Sequence, residues 1–556
     1  MLANMRNLFL IGLILSFANL LHAQGGANGT ILGTVTDPAG AVLSNARVDV
    51  TNIATNVTNQ TQTTSSGDFT LPFLPPGTYR ITVEAPGFQK SVTNSVTLVV
   101  GQEARVNVAM KPGAVSETVE VQASAVSLDT DSSAISQIVT QRQVDQLPLN
   151  GRNFLSLLFI GAGAVQTNGE QGQMRQGEGN AISINGGRPT SNNYTLDGLI
   201  NTDTALNTPA VILSQDAIQE FKIQSETYSA EYGFSANQVN IITKSGSNQL
   251  HGTAFEFLRN DAFDAKAPFQ QTLPELRQNQ FGFVVGGPVY IPKVYDGRNK
   301  TFFLVNYEGW RIRNGFDQST FTVPEPAQLN GDFSTSGLQL PSQAGGPCSP
   351  TPTSPCMPID PLTGAAFPGN IIPSTRFSIL AQQSLGLNGG INAFPAPNCI
   401  GCAGPGFNYR LAVTLPQSTD QETYRLDQEL GRLGKLFFRY TTAKYQNTNI
   451  NGSVTLPYGI GVFNEKSESW MISHTKNIGS RMINNFRFGR LEPISIQGGT
   501  PINSSQVSAL GITGVYPNLP AYARLFPTLN LGPPYGNGGE VMGSQVPVVA
   551  ATRSLC

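Results

Sequence analysis

The second half of the chain shows a regular alternation of apolar and polar side chains, which restricts the folds it can adopt. It is present in residues 253–259, 300–310, 434–440, 468–474 and 481–490. Successive side chains of a β-strand point to opposite faces, so this period-two pattern predicts strands that each have one apolar face. A half-buried strand of a soluble sheet and a strand of an outer-membrane barrel both show it. The alternation alone does not distinguish between these two kinds of strand.

The N-terminus favours export. Arg6 ends a short basic region, an apolar stretch follows from Leu8 to Leu21, and Ala23 offers a small residue for cleavage. The stretch is too short to cross a bilayer, which requires about 20 apolar residues. We therefore predict that residues 1–23 are a signal peptide.

Residues 24–112 consist of short strand-like runs separated by turns, a pattern that predicts a β-sandwich. Three motifs stand out: G-x-V-x-D-x-x-G at 33–40, G-x-F at 67–69, and L-x-P-G-T-Y followed by P-G-F within 74–88. These motifs resemble the carboxypeptidase regulatory-like domain. The resemblance implies a transthyretin-like sandwich without peptidase activity, acting as a structural spacer or as a weak glycan-binding module.

A second set of ordered motifs lies within residues 113–247. They are R-x5-Y-x-x-D-G ending at Gly198, I-x-x-F-K-I at 218–223, and S-A-E-Y-G followed by N-I-I-T-K-S-G at 240–246. In this order they resemble the plug domain of TonB-dependent outer-membrane receptors. The resemblance implies that four residues of the first motif are structural parts of the plug, namely Arg188, Tyr194, Asp197 and Gly198.

Asp197 and Gly198 form a turn dipeptide, in which Gly198 is expected to adopt a positive φ. Arg188 precedes Asp197 by nine positions, and we expect the two side chains to pair across the loop. A direct role of these residues in substrate binding is the alternative.

The segment S-E-T-V-E-V at 116–121 precedes the plug within an otherwise polar stretch. A free strand of this kind can add to the edge of another sheet through main-chain hydrogen bonds. Its place before the plug agrees with the TonB box of the receptors that the chain resembles. We therefore predict that TonB contacts Glu117, Thr118, Val119, Glu120 and Val121. A last strand of the sandwich, or a plain linker, is the alternative.

The signal peptide and the plug favour a membrane barrel over a soluble sheet for the alternating strands. Residues 248–556 are then a partial outer-membrane β-barrel, in which Phe255, Phe257 and the apolar residues of 434–440 point outward to lipid. The recognisable strands are far fewer than the 22 of a plugged transporter, and the chain ends T-R-S-L-C without an aromatic strand. We therefore expect an N-terminal portion of a receptor, or a truncated gene product, with an incomplete barrel.

A long irregular insert at 312–420 is expected to be an extracellular loop. It contains two close cysteine pairs, Cys348/Cys356 and Cys399/Cys402. In an exported protein such pairs favour small disulfide loops, with zinc binding as the alternative. Together with the N-terminal sandwich, the insert resembles the Oar-like branch of TonB-dependent receptors.

Composition argues against other functions. Charged residues make up 13% of the chain and the net charge is −2, so no basic patch indicates nucleic-acid binding. After cleavage only His251 and His474 remain, and neither belongs to a catalytic or metal-binding motif. We predict no enzymatic activity, no cofactor and no metal site.

The resemblances together predict a mainly β TonB-dependent receptor of the outer membrane, for energy-coupled uptake of a scarce or large substrate. The implied partners are TonB with its proton-motive-force-driven inner-membrane complex, outer-membrane lipid, and an unknown substrate, a glycan or a siderophore being candidates. An Oar-like adhesin without transport, or a non-functional truncated receptor, is the alternative.

Overall fold

The protein is described here by a computed structural model. The described residues are 28–113, 118–122, 135–147, 149–167, 181–188, 191–203, 208–226, 237–266, 273, 275–321, 323–334, 360, 362–365, 367–384, 396–399, 408–450, 460–478, 482–499, 529–530, 540–542, 548–551 and 554–555. The predicted signal peptide, Glu117, Cys348, Cys356 and Cys402 lie outside them. No helix among the described residues is long and apolar enough to cross a membrane.

The N-terminal domain is a two-sheet β-sandwich. One sheet has the strand order β4-β1-β7, with β8 also pairing β1, and the other has the order β3-β2-β5-β6-β9. Alternate residues of β1 are buried, which is the pattern expected of a strand with one face on a core. The strands are β1 (Gly29–Thr36), β2 (Arg47–Asn52), β3 (Thr58–Gln62), β4 (Asp68–Leu74), β5 (Gly77–Glu84), β6 (Lys90–Leu98), β7 (Glu103–Arg105), β8 (Val108–Ala109) and β9 (Thr118–Gln122).

The second domain, which we call the plug domain, is built on a five-stranded sheet of order β10-β15-β16-β13-β14, beside a β11-β12 hairpin. All seven residues of its central strand β16 are buried, and the apolar 3-10 helix Phe154–Ile160 packs into the same core. Its elements are β10 (Ile135–Val139), α1 (Gln141–Gln146), β11 (Ala164–Thr167), β12 (Ala181–Ile184), β13 (Asn192–Leu196), β14 (Leu199–Ile200), β15 (Ile218–Glu226) and β16 (Asn237–Thr243).

The third domain is an antiparallel sheet of long strands in the order β17-β18-β21-β22-β23-β24-β25-β28, with β29 also pairing β25. Among the described residues β17 has a neighbour on one side only, so the barrel is open. The elements are β17 (His251–Asn260), β18 (Leu276–Pro288), β19 (Tyr290–Ile291), β20 (Tyr295–Asp296), β21 (Thr301–Phe321), α2 (Pro326–Leu329), α3 (Ile379–Ser384), β22 (Tyr409–Glu429), β23 (Lys435–Ile450), β24 (Ile460–Ile478), β25 (Met482–Gly499), β26 (Leu529–Asn530), β27 (Glu540–Met542), β28 (Val548–Ala551) and β29 (Ser554–Leu555).

The predicted alternation of faces is confirmed in β23. Phe438 is exposed on the outer face, whereas its neighbours Phe437 and Arg439 are buried on the face toward the plug domain. Strands β21 to β25 have 16 to 21 residues, more than the roughly 10 that cross a bilayer. Their ends therefore extend beyond the membrane.

The predicted orientation of β17 is wrong. Phe255 and Phe257 face the plug domain, where the guanidinium of Arg152 lies 4.1 Å and 5.6 Å from the two ring centroids. Phe255 is paired with Gly282, and the absence of a side chain there leaves room for the ring beside Glu308. A period of two places the two phenylalanines on one face but does not say which face meets lipid.

Both ends of the predicted insert belong to barrel strands. Strand β21 continues to Phe321 and β22 begins at Tyr409, so the barrel sheet extends into both ends of the predicted loop 312–420. Within the described part of the insert, Arg376 forms an ion pair of 2.5 Å with Asp360. Cys399 is disulfide-bonded, and its pairing with Cys402 stays a prediction because Cys402 lies outside the described residues.

Candidate functional site

The plug domain contacts the inner face of the barrel sheet through the turn between β13 and β14. Asp197 has φ of +52° and Gly198 has φ of +84°, as expected for an Asp-Gly turn. The Asp197 carboxylate accepts hydrogen bonds of 2.9 Å from both the backbone amide and the hydroxyl of Thr243. The turn is thereby fixed to the end of β16, and its remaining acceptor capacity faces the barrel.

Arg439 of β23 occupies that position. Its side chain is fully buried, and its Nη1 donates to Asp197 at 2.8 Å and to the carbonyl of Leu196 at 3.0 Å. Its Nη2 donates to the hydroxyl of Ser469 at 3.0 Å. A guanidinium removed from water needs a charge partner, and here that partner belongs to a different domain. The pair therefore fixes the plug domain to the barrel sheet.

Arg425 of β22 extends the contact. It donates to the carbonyl and the hydroxyl of Thr243 at 2.7 Å and 2.9 Å, and it pairs with Asp427 at 2.8 Å. The guanidinium lies 4.4 Å from the ring centroid of Phe437. We call the five residues Asp197, Thr243, Arg425, Asp427 and Arg439 the Asp197 cluster.

A second polar contact lies where the plug domain meets β18 and β21. Glu308 accepts from the hydroxyl of Ser214 at 2.5 Å and from the amide of Gln280 at 2.6 Å. Arg152 pairs with Asp216 at 2.7 Å and lies 3.6 Å from Glu308. Both contacts consist of ion pairs and hydrogen bonds, which can be broken and reformed without covalent chemistry.

The sandwich lies beside the Asp197 cluster. A cavity of about 70 Å³ lies where the three domains meet, and its lining includes Pro75 and Pro76 of the sandwich, Asp197 of the plug domain, and Arg425 and Lys435 of the barrel. One end of the cluster therefore faces a small space at the junction of all three domains.

The sandwich is attached to the plug domain by the loop that follows β6. The backbone amide of Val100 donates to the carboxylate of Glu220, and the Lys222 ammonium donates to the carbonyl of Gly101 at 3.0 Å. Both side chains are buried, and burial raises the pKa of Glu220 to about 7, against the lowering influence of the Val100 amide and of Lys222. The junction thus contains a carboxyl group that titrates near neutral pH.

The predicted pairing of Arg188 with Asp197 is wrong. Asp197 pairs with Arg439, 242 positions away in sequence, and the side chain of Arg188 is exposed. Tyr194 lies in the core of the plug domain, where burial raises the pKa of its hydroxyl to about 12. The structural roles predicted for these residues stay predictions.

Sequence reasoning did not single out the barrel residues of these contacts. Arg425, Arg439 and Glu308 occupy inward positions of alternating strands, where polar residues are ordinary. For Arg439, the sequence signal is its position between aromatic residues, in F-F-R-Y at 437–440.

The segment predicted to contact TonB is partly described. Thr118–Gln122 is strand β9, which pairs in parallel with β6 of the sandwich, with Val119 opposite Ser91. The segment is thus the terminal strand of a sandwich sheet, the alternative left open by the sequence. Contact with TonB stays a prediction.

These three domains define an outer-membrane protein with a β-barrel, and the chain belongs to the outer membrane β-barrel domain family. Residues 242–553, more than half of the chain, match the family described as an outer membrane beta barrel domain, and residues 30–111 match the carboxypeptidase regulatory-like domain. The predicted fold class and outer-membrane location are confirmed.

A particular relative is the TonB-dependent transporter Oar of Myxococcus xanthus. It is 29% identical over 347 residues, which are 55% of this chain and 31% of the relative. The chain therefore spans about a third of the length of this curated relative. The predicted resemblance to TonB-dependent receptors of the Oar type is confirmed.

Two solved structures resemble parts of the chain. The ferric enterobactin receptor of Pseudomonas aeruginosa has 14% identity and a TM-score of 0.34, over 66% of this chain and 42% of the receptor. Catechol 1,2-dioxygenase of Acinetobacter radioresistens has 14% identity and a TM-score of 0.14, over 18% of this chain and 58% of the enzyme.

Proposed function

We propose that the protein is a TonB-dependent outer-membrane transporter that takes up a scarce or large substrate. The similarity to a relative named as a TonB-dependent transporter supports this proposal. The protein contributes binding and gating, and it makes or breaks no covalent bond of the substrate.

The observation that carries the proposal is the ion pair between Asp197 of the plug domain and the fully buried Arg439 of the barrel. Removing one partner of a buried pair costs about 3–5 kcal/mol, because an uncompensated charge stays behind. The pair therefore favours the seated position of the Asp197 turn, and displacing the plug domain must hydrate or re-pair both charges, which requires work. A partner that pulls on the chain before the plug supplies such work.

The proposed cycle follows from this arrangement. Substrate binds from outside, TonB binds residues 117–121, and the proton-motive force draws this segment away from the membrane. The plug domain then rearranges within the barrel, and the Asp197 cluster exchanges its contacts for water. When the pull ends, the same polar contacts reform.

We propose that the insert between β21 and β22 makes the first contact with ligand. It connects two barrel strands on the side away from the short β19-β20 hairpin, and long connections of outer-membrane barrels face outward. A glycan and a siderophore are the candidate ligand classes.

The test compares substrate-dependent growth of cells that express the full-length receptor, with and without TonB. Candidate iron-siderophores and oligosaccharides are each supplied as the limiting nutrient. Growth that requires both the receptor and TonB supports transport. Identical growth with and without TonB contradicts it and favours an adhesin-like role, which cell attachment measured in the same strains would then test.

A further inference from the structure

Strand β9 is held in the sandwich by a defined register. Its five residues pair in parallel with residues 90–94 of β6, so that Thr118 lies opposite Lys90 and Gln122 opposite Asn94. The segment that the proposed function gives to TonB is therefore an ordered strand with one edge already hydrogen-bonded.

The other edge of β9 ends the sheet. In the order β3-β2-β5-β6-β9, the described residues place no strand beyond β9. Sheet edges of soluble domains are commonly protected by proline, by lysine or by a bulge, because an unprotected edge accepts a further strand. The sequence of β9, T-V-E-V-Q, contains neither proline nor lysine, and its pairing with β6 has no break in register.

Strand β6 connects this edge to the plug domain. The loop that directly follows β6 is the one whose Val100 amide donates to Glu220 and whose Gly101 carbonyl accepts from Lys222. Glu220 and Lys222 lie on β15, which pairs with β16, and β16 ends at Thr243, the residue bonded to Asp197. Hydrogen bonds and the covalent backbone of β6 and β16 therefore connect β9 to the Asp197 cluster.

We propose that TonB adds a strand to the outer edge of β9 while β9 remains paired with β6, so that the N-terminal sandwich is part of the coupling surface and carries the pull to β15. This inference rests on the proposed function and adds a role for the sandwich. Recognition occurs through main-chain hydrogen bonds, as in other cases of strand addition. The alternative, in which TonB removes β9 from the sandwich, predicts the opposite response when β9 is fixed in place.

The test fixes β9 to β6 with a disulfide. Val92 and Glu120 are directly paired, so Val92→Cys/Glu120→Cys can form a bridge without changing the register. The control bridge is Arg47→Cys/Gln62→Cys, which joins a directly paired position of β2 and β3 at the far edge of the same sheet. The full chain in detergent is titrated with the purified periplasmic domain of TonB, before and after reduction.

The proposal predicts that the oxidised Val92→Cys/Glu120→Cys protein binds the TonB domain with a Kd within about twofold of its reduced form, as does the control. Binding that is weakened at least about tenfold by oxidation and restored by reduction, in the β6–β9 bridge alone, overturns it, because TonB must then remove β9. If the unmodified chain does not bind the TonB domain, the proposed function itself fails. Formation of each bridge is verified by mass spectrometry.

Discussion

Asp197 and Arg439 lie 2.8 Å apart across the boundary between the plug domain and the barrel. Both side chains are buried. Asp197 lies in the turn between β13 and β14, and Arg439 lies in strand β23. The transport proposed above requires these two domains to separate, so that substrate can pass between them.

Replacing Asp197 by asparagine should destabilise this contact. Asp197→Asn keeps the shape of the side chain but leaves the buried charge of Arg439 without a counter-ion, and we expect a loss of about 3–5 kcal/mol in the free energy of plug seating. Protease sensitivity of the plug domain in the folded protein measures the effect. The exposed Arg188→Gln is the matched control, with an expected change within about 0.5 kcal/mol. An Asp197→Asn protein that resists protease normally but has lost ligand binding would support the direct substrate role.

Introducing proline into β9 should abolish uptake. Val119→Pro removes a backbone donor from one edge of β9 and restricts the strand, so either the pairing with β6 or the addition of a TonB strand should be weakened, and the proposed coupling requires both. Surface binding of ligand should remain, because the insert lies in another domain. Uptake and surface binding of a labelled ligand are compared in the same cells. Undiminished uptake by Val119→Pro would contradict the prediction that residues 117–121 contact TonB.

The junction between sandwich and plug domain should weaken as the pH rises toward neutrality. The pKa of Glu220 is about 7, against an ordinary value of 4.5, so between these values the folded protein holds a proton that the unfolded chain has lost. Stability from this site is therefore greatest below about pH 4.5 and falls until about pH 7. The measurement is the protection of the Val100 amide from hydrogen exchange, corrected for the pH dependence of the intrinsic exchange rate. Protection should fall between about pH 4.5 and about pH 7 in the unmodified protein, and this fall should be absent from Glu220→Gln. Equal pH dependence in both proteins would exclude Glu220 as its source.

The four cysteines of the insert should be oxidised in the exported protein. Bridges between Cys348 and Cys356 and between Cys399 and Cys402 would close short loops in a segment rich in proline and glycine. Alkylation without reductant followed by mass spectrometry should leave all four unlabelled. Full labelling would exclude the disulfides and favour a metal site or reactive thiols.

Removing the central part of the insert should abolish ligand binding. Deletion of residues 340–410 leaves most of β21 and β22 in place, so the barrel sheet should still form. Ligand binding by cells that display the deleted full-length receptor is the measurement, and surface labelling verifies insertion. Binding that survives the deletion would move the ligand site to the plug domain.

Local features of the fold were predictable from the sequence. The alternation in residues 434–440 indicated that Phe438 faces outward and Arg439 inward, and the Asp-Gly dipeptide indicated the turn at Asp197. Each of these depends on residues next to one another in the chain, where the geometry of a strand or a turn fixes the outcome.

Features that depend on distant residues were not predictable. The partner of Asp197 is 242 positions away, and a closer arginine, Arg188, offered a simpler pairing. The face of β17 was assigned wrongly because Phe255 packs beneath Arg152 of the plug domain, a contact that periodicity does not contain. The burial of Glu220 and Lys222 likewise requires the sandwich loop, which belongs to another domain.

Photo-cross-linking in living cells would show whether β9 contacts TonB. A cross-linking amino acid at position 120 of β9 should form an adduct with TonB, and the same group at position 62 of β3, at the opposite edge of the sheet, should not. Val119→Pro should abolish the adduct at position 120. Absence of a TonB adduct from position 120 in a receptor that is correctly inserted, or an equal adduct from position 62, would contradict coupling to TonB through β9.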